Sequence, residues 1–525
     1  MSGPSRSQST GQARSRLWRR LPAEAVLVGL GLFALLTAFV SADPATKVTA
    51  SLAPFTDEGF NVVNARNLVQ LGTWTTDEWN LHLVNLPFSL LQAVWFQVAG
   101  VGIVQARLIS IACVSLTAMA LVWGLRGAVG RAWATFAGLA FGASGLILFY
   151  GRLAFLEDLV VLGLTLGTLT LARQSRLDLR GGALAGLCYA VAIGAKPSAI
   201  FSVAGILLAM GLVWGWRDRA VRRWIVGSGA VVTIAGVVWA LLIWLPNQSA
   251  VAIDTKIWPA YQWHLTPSAL YYSVKAYLTT DSDNIFSVML LPLIGLSAAG
   301  LVAIAALRRR LGQAEARLAA AAIAWAVFGF GILIAVSYRP SRYVVPLVPA
   351  LAIIAAIGLH LFAGWLGERL AERGAAEAES EAVAPAAAPT SDAGRATHAW
   401  RPAANLVVAA AVVVAAAPGL LWYGGWARNA TYGLPAIQSQ FAAAVPAGQS
   451  VAGRDAALFL MLSKAKTVVT GLANNGDLYA TGTRWYLQAT DAAAPTGVAE
   501  AIWSARERVM CADWNSVTEC LYHLP

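Results

Sequence analysis

Charge is scarce in this chain: of 525 residues only 12% are Asp, Glu, Lys or Arg, against 58% hydrophobic. A soluble protein of this length would not stay in solution with so little charge, so the composition excludes a soluble globular class and indicates a polytopic membrane protein. A formal net charge of +11 would indicate nucleic acid in a soluble domain. Here Lys and Arg fall in short clusters between apolar runs, as membrane topology requires, and nucleic acid is not an expected partner. Cysteine is scarcer still, with four in the chain and no CxxC spacing, which argues against a metal site. Cys113 and Cys188 lie inside apolar runs, where a thiol is a small filler. Cys511 and Cys520, nine residues apart near the C-terminus, are candidates for a loop-closing disulfide in an oxidising compartment. A cleaved signal peptide is not expected, because the run from Ala23 to Val40 is longer than an h-region and SADPATK follows it without a small-x-small site.

About 20 apolar residues carry a helix across the hydrocarbon core. Such stretches stand near 24–42, 104–125, 132–150, 157–173, 181–195, 198–216, 224–246, 286–307, 318–336, 343–365 and 403–424, eleven in all. The run 83–101 is broken by Asn85, Pro87, Gln92 and Gln97 and is expected to be interfacial. Counted this way, the basic clusters at Arg14–Arg20, Arg126/Arg131, Arg173–Arg180, Arg217–Arg223 and Arg308–Arg317 all fall on one side. That side is cytoplasmic by the positive-inside rule. The expectation is a multi-pass plasma-membrane protein with a cytoplasmic N-terminus and an external C-terminus.

The predicted fold is mainly α: a helical bundle of about eleven spans with interfacial external helices and a small C-terminal external α/β domain. Residues 1–20 read as a disordered cytoplasmic tail, 21–366 as the transmembrane domain with external loops 43–103 and 247–285, and 367–402 as a flexible Ala/Glu/Pro linker. The last span is 403–424 and the external domain 425–525, where "KTVVTGL" and "ERVMCA" read as strands and "RDAALFLMLSKA" and "TGVAEAIWSAR" as helices.

Three groups of residues stand out chemically. "TDEGFNVVNARNLVQLGTW" reads as a short amphipathic helix on the outer leaflet, with Asp57 and Glu58 at its N-terminus and Arg66, Asn67 and Gln70 on its polar face. N-capping by Thr56 or Asp57 is the plain alternative. In "FYGRLAFLEDLVVLG", Arg152, Glu157 and Asp158 stand at the external junction of two spans, where carboxylates are expensive unless they face a polar cavity or a cation. The plain reading there is a structural Arg152–Glu157 pair. Lys196 in "IGAKPSA" and Arg339 and Arg342 in "SYRPSRYVVPLVP" put basic groups at external span ends, against the topology rule, with Tyr343 beside them as a further substrate-binding candidate. An external anion would explain them, Arg by bidentate contact and Lys as a point charge; snorkelling to headgroups is the alternative.

The ordered set "DEGFNVVNARNLVQLGTW", "GVGIVQARLISIACVSL", "YGRLAFLED" and "SYRPSRYVVPLVPAL" resembles the GT-C membrane glycosyltransferases, most of all the branch of lipid A aminoarabinose transferases and protein O-mannosyltransferases, over roughly residues 20–365. The resemblance implies a catalytic acidic residue at Asp57, with Glu58 beside it, and a second at Glu157. It implies a donor sugar on a polyprenyl phosphate, a glycan, lipid or protein acceptor, surrounding membrane lipids and no required cofactor, although adjacent carboxylates would accept a divalent cation. The chain departs from the family at "NLHLVNLPFSLL": His82 is displaced, Asn85 stands where Lys is expected and only Pro87 remains of a Pro-Pro pair. In the chemistry so implied, Asp57 is general base, Glu157 orients the acceptor, and Glu58 binds sugar hydroxyls or a cation. Lys196, Arg342 and Arg152 receive the phosphate. Two other classes remain: a transporter or flippase of lipid-linked sugars, and a non-catalytic glycolipid-binding scaffold. Transporters place ionisable residues near the midplane, often in repeated halves, whereas here the acidic motifs cluster at one face and no repeat is seen.

Overall fold

Each apolar run of the sequence is helical in the computed structural model, which describes residues 21–44, 57–74, 85–248, 265–279, 285–336, 340–381, 393–468, 478–480, 482–490, 493–495, 497–514 and 517–525. The helix is the form in which a chain satisfies its own backbone inside lipid. The helices are α1 (Ala23–Thr37), α2 (Asp57–Leu71), α3 (Leu86–Ala99), α4 (Ile103–Gly142), α5 (Gly145–Tyr150), α6 (Leu156–Leu169), α7 (Leu179–Ala195), α8 (Ala199–Met210), α9 (Arg219–Trp239), α10 (Pro267–Thr279), α11 (Ile285–Ala306), α12 (Gln313–Ala335), α13 (Val348–Glu381) and α14 (Ala393–Ala427). Among the described residues five segments, 103–142, 219–247, 313–335, 341–373 and 406–427, are long and apolar enough to cross a membrane. Leu116, Ile234, Val327, Phe362 and Leu421 are exposed on their outer faces, as lipid contact requires. The tail 1–20 and parts of the 247–285 loop and the 367–402 linker lie outside the described residues.

Two expected spans share α4. Gly130 interrupts it at φ 79°, ψ 172°, a left-handed conformation open to glycine, and the chain folds back on itself. A Cβ on Gly138 would stand 2.5 Å from Val122 Cγ2 and 3.0 Å from the Ala118 carbonyl. Arg126 and Arg131 flank this turn, and each reaches Glu24 at the start of α1 at 3.3 Å. By helix succession the other basic turns fall at this same end, and α2, the α7–α8 break and the start of α13 fall at the other.

The C-terminal domain sits at that other end. It begins with α15 (Gly433–Ala444) and carries β1 (Ser450–Ala452), α16 (Ala456–Phe459), β2 (Lys466–Val468), β3 (Trp485–Ala489), α17 (Glu500–Ser504), β4 (Glu507–Trp514) and β5 (Val517–His523). The sheet order is β2-β1-β3-β5-β4, with β1 parallel to β2 and β3 and β5 antiparallel to β3 and β4. "RDAALFLMLSKA" is shorter as a helix than its composition predicts. Only 456–459 is helical, because the residues after it turn to present their carbonyls to an arginine of α2. Cys511 and Cys520 face each other across β4 and β5 and are disulfide-bonded.

Candidate functional site

Four charged side chains from four elements meet at the end of the bundle beneath the C-terminal domain. Asp57 opens α2 and meets Arg342 with Nη2 to Oδ2 at 2.6 Å. Arg342 lies in a 3-10 turn over Ser341–Leu347, which Pro340 leads into and Pro346 interrupts. Its Nε stands 3.9 Å from Glu157 Oε1. Lys196 donates to that same Glu157 oxygen at 2.5 Å. Lys196 is where α7 stops: the following Pro197 holds it extended at φ −150°, ψ 113°, swinging its ammonium off the helix axis. Tyr343 lies under both cations, 3.4 Å from Lys196 Nζ and 5.3 Å from the Arg342 guanidinium carbon, so its ring face helps hold them. Glu157 is in the first turn of α6, where the helix dipole favours a carboxylate. Asp57 keeps 31% of its side-chain surface exposed while Glu157 keeps 3%, so a substrate hydroxyl reaches the first and not the second without rearrangement.

Three expected site residues lie outside this cluster. Glu58 faces inward and forms a bidentate pair with Arg107, 2.7 Å on each arm, with both side chains fully buried. It also accepts from the Ala154 amide at 2.9 Å, so both oxygens are engaged and the side chain is buried away from any external sugar or cation. Arg152 does not pair with Glu157. It donates to the carbonyls of Phe39, Ala42 and Asp43 at 3.3, 2.7 and 2.6 Å and stacks on Trp426 at 4.3 Å, closing the end of α1. Asp158, one position and about 100° round the helix from Glu157, is fully buried toward the bundle interior, away from the four-residue cluster. Arg107 was missed in the sequence. The signal was present in "QARLIS", a lone arginine opening an apolar run at the same membrane end as an unpaired glutamate.

His82 and Arg339 lie outside the described residues. Asn85, standing where the resemblance expects Lys, is buried, donates to the Asn61 carbonyl at 3.4 Å and accepts from Ser89. Among the described residues no group of three or more His, Cys, Asp or Glu is placed to hold a metal ion.

An apolar groove of about 310 Å³ lies between α8 and α12, lined by Phe201, Val327, Phe328, Gly331, Ile332 and Ala335. Phe201 is in the first turn of α8, just past Lys196, and Ala335 ends α12, just before the Arg342 turn. The groove therefore lies between the two helices whose ends lead to the two cations.

No protein-family model and no curated protein matches the chain. Two crystal structures of ArnT from Cupriavidus metallidurans are similar to it, one bound to undecaprenyl phosphate and one in the apo state, with TM-scores of 0.63 and 0.62 at 18% identity. They cover 95% and 94% of this chain and 97% of the other, a share that takes in the C-terminal domain as well as the bundle. The chain thus has the fold of these ArnT structures.

Proposed function

We propose that this chain is an integral-membrane glycosyltransferase that moves a sugar from a polyprenyl-phosphate donor to a hydroxyl of a glycan, lipid or protein on the external face, by inverting displacement. The observation that carries the reading is the convergence of Asp57, Glu157, Lys196 and Arg342, with an apolar groove between the helix that follows Lys196 and the helix that precedes the Arg342 turn. A donor of this class needs that combination: a groove for the prenyl chain, cations for the phosphate and a carboxylate for the incoming hydroxyl. The similar ArnT structure holds undecaprenyl phosphate, in keeping with a lipid-phosphate donor.

In this reading the donor phosphate takes Arg342 and Lys196 from their carboxylate partners, with Tyr343 holding the cations in place. Asp57, released from Arg342, accepts the proton of the acceptor hydroxyl as that oxygen attacks the anomeric carbon. The carbon–oxygen bond to the phosphate breaks on the opposite side. The polyprenyl phosphate leaves as an anion that needs no general acid, and the cations stabilise the charge that develops on it. Glu157 holds Lys196 until the phosphate arrives and then orients the acceptor. A single displacement inverts the anomeric configuration, unlike the double displacement of a retaining carboxylate pair.

The test is turnover. Detergent-solubilised full-length protein is incubated with a panel of polyprenyl-phosphate sugars and crude envelope acceptors, and release of polyprenyl phosphate is followed together with sugar on the acceptor. The expected result is coupled release and transfer with at least one donor. No release with any donor, but movement of a lipid or solute in proteoliposomes, would replace the transferase reading with transport.

A further inference from the structure

α2 carries Asp57 and is gripped from two sides. On the bundle side Glu58 is locked to Arg107 at 2.7 Å and Asn61 donates to the Ala154 carbonyl at 2.8 Å. On the other side Arg66, 1% exposed, donates to the backbone carbonyls of Leu460 at 3.1 Å, Met461 at 3.2 Å and Ala465 at 2.7 Å, and also to that of Ser463. Ser463 Oγ at 3.2 Å and Asn67 Oδ1 at 2.8 Å complete its partners. Next to this clamp the two bodies touch at backbone distance. A Cβ on Gly59 would stand 2.4 Å from the Leu458 amide nitrogen, so only glycine permits the approach, and Phe60 and Val63 pack on Ala457. The segment that receives Arg66 is itself held, since Gln438 donates to the Leu458 carbonyl at 2.7 Å. Asp43 at the end of α1 accepts from the amides of Gly433 and Leu434, both at 2.9 Å, and so fixes the start of α15.

Sequestering a guanidinium against neutral acceptors, with no carboxylate partner among the described residues, is a costly way to hold two surfaces together; apolar packing of the same volume is often as stable. What the rigid five-donor fork supplies is geometry. Four converging carbonyls fix the helix in translation along its axis and in rotation about it, the two displacements that would move Asp57 away from Arg342. A misplacement of about 1 Å at a reacting group costs on the order of 10²-fold in rate.

We infer that the C-terminal domain is a working part of the site, and that Arg66 is a positioning residue which, through segment 457–465, sets α2 and hence Asp57 against Arg342 and Lys196. The inference rests on the transferase reading. It gives the domain a role in turnover without any contact to the reacting atoms, and separates that role from donor binding, which is left to Lys196, Arg342 and the groove.

The experiment uses the full-length chain in detergent and compares the native protein with Arg66→Met, Arg66→Lys and Val63→Ala. The last thins the same contact without leaving buried carbonyls unpaired. Donor-binding sites are counted by titration with sugar-free polyprenyl phosphate, and kcat is expressed per binding site. Arg66→Met is expected to lower kcat at least about tenfold per site with KM for the donor within about twofold. Arg66→Lys is expected to recover part of the loss, and Val63→Ala to lower kcat in the same direction with KM unchanged. Native kcat per binding site in both Arg66→Met and Val63→Ala overturns the inference, as does activity that falls only in step with the number of binding sites. Absence of turnover in the native protein is a different result and overturns the transferase reading itself.

Discussion

Neighbouring carboxylates in this protein have separate fates, and side-chain direction decides them. Asp57 is 31% exposed and meets a cation at the rim; Glu58, next in the chain, is fully buried against Arg107. Removing one member of such a buried pair costs about 3–5 kcal/mol, because the other charge is left uncompensated. Glu58 is therefore expected to act through stability, while the proposed reaction assigns the chemistry to Asp57. A different carboxylate sets a pH dependence. Glu519 on β5 is buried beside Asp455; burial first, and then the Asp455 charge, raise its pKa from 4.5 to about 8, with Arg454 pulling the other way. The unfolded chain releases this proton near 4.5 while the folded chain keeps it to about 8. The folded state thus binds more protons across that window, and its stability falls as pH rises through it. Glu519→Gln removes the titration. The gain in unfolding midpoint of the variant over the native protein is expected to grow from pH 5 to pH 8, in thermal melts at each pH. A difference that stays constant with pH would contradict the assignment.

At the scale of the element, α2 shows what sequence reading reaches and where it stops. Its length, its acidic start and its mixed faces were legible from spacing. Its surroundings were not: Arg66 and Asn67 read as a wet face on a leaflet, yet they are 1% and 0% exposed because another part of the chain covers them. Periodicity reports that a face is polar without reporting what satisfies it. The groove between α8 and α12 was invisible for a related reason, since it depends on Phe201 of one helix and Gly331 and Ala335 of another, far apart in sequence, lining one gap. A Cβ on Gly331 would meet nothing within 4 Å, and leucine suits a helix better than glycine, so Gly331→Leu is expected to fold normally and to fill the groove. KM for a long-chain polyprenyl donor should rise several-fold, on the order of one buried side chain, while a short-chain analogue is turned over as before. An equal effect on both donors would move the prenyl chain elsewhere.

At the scale of the whole molecule, the bundle was the most legible part. Runs of apolar residues punctuated by arginines set its passes, and even the hairpin inside α4 was marked by Arg126 and Arg131. The four-residue cluster was legible in its members Asp57, Glu157, Lys196 and Arg342, although not in its pairing. The docking of the C-terminal domain was not legible, because it depends on contacts such as Arg66 to Met461, 395 residues apart, and on a glycine whose only mark in sequence is its small size. Asp57 as the base of a transfer reaction is tested most directly by sugar transfer from a polyprenyl-phosphate donor in the native protein and in Asp57→Asn, with polyprenyl-phosphate binding measured on the same samples. The expected result is a fall in turnover of about 10²–10⁴-fold with binding retained. Transfer at the native rate by Asp57→Asn would contradict it.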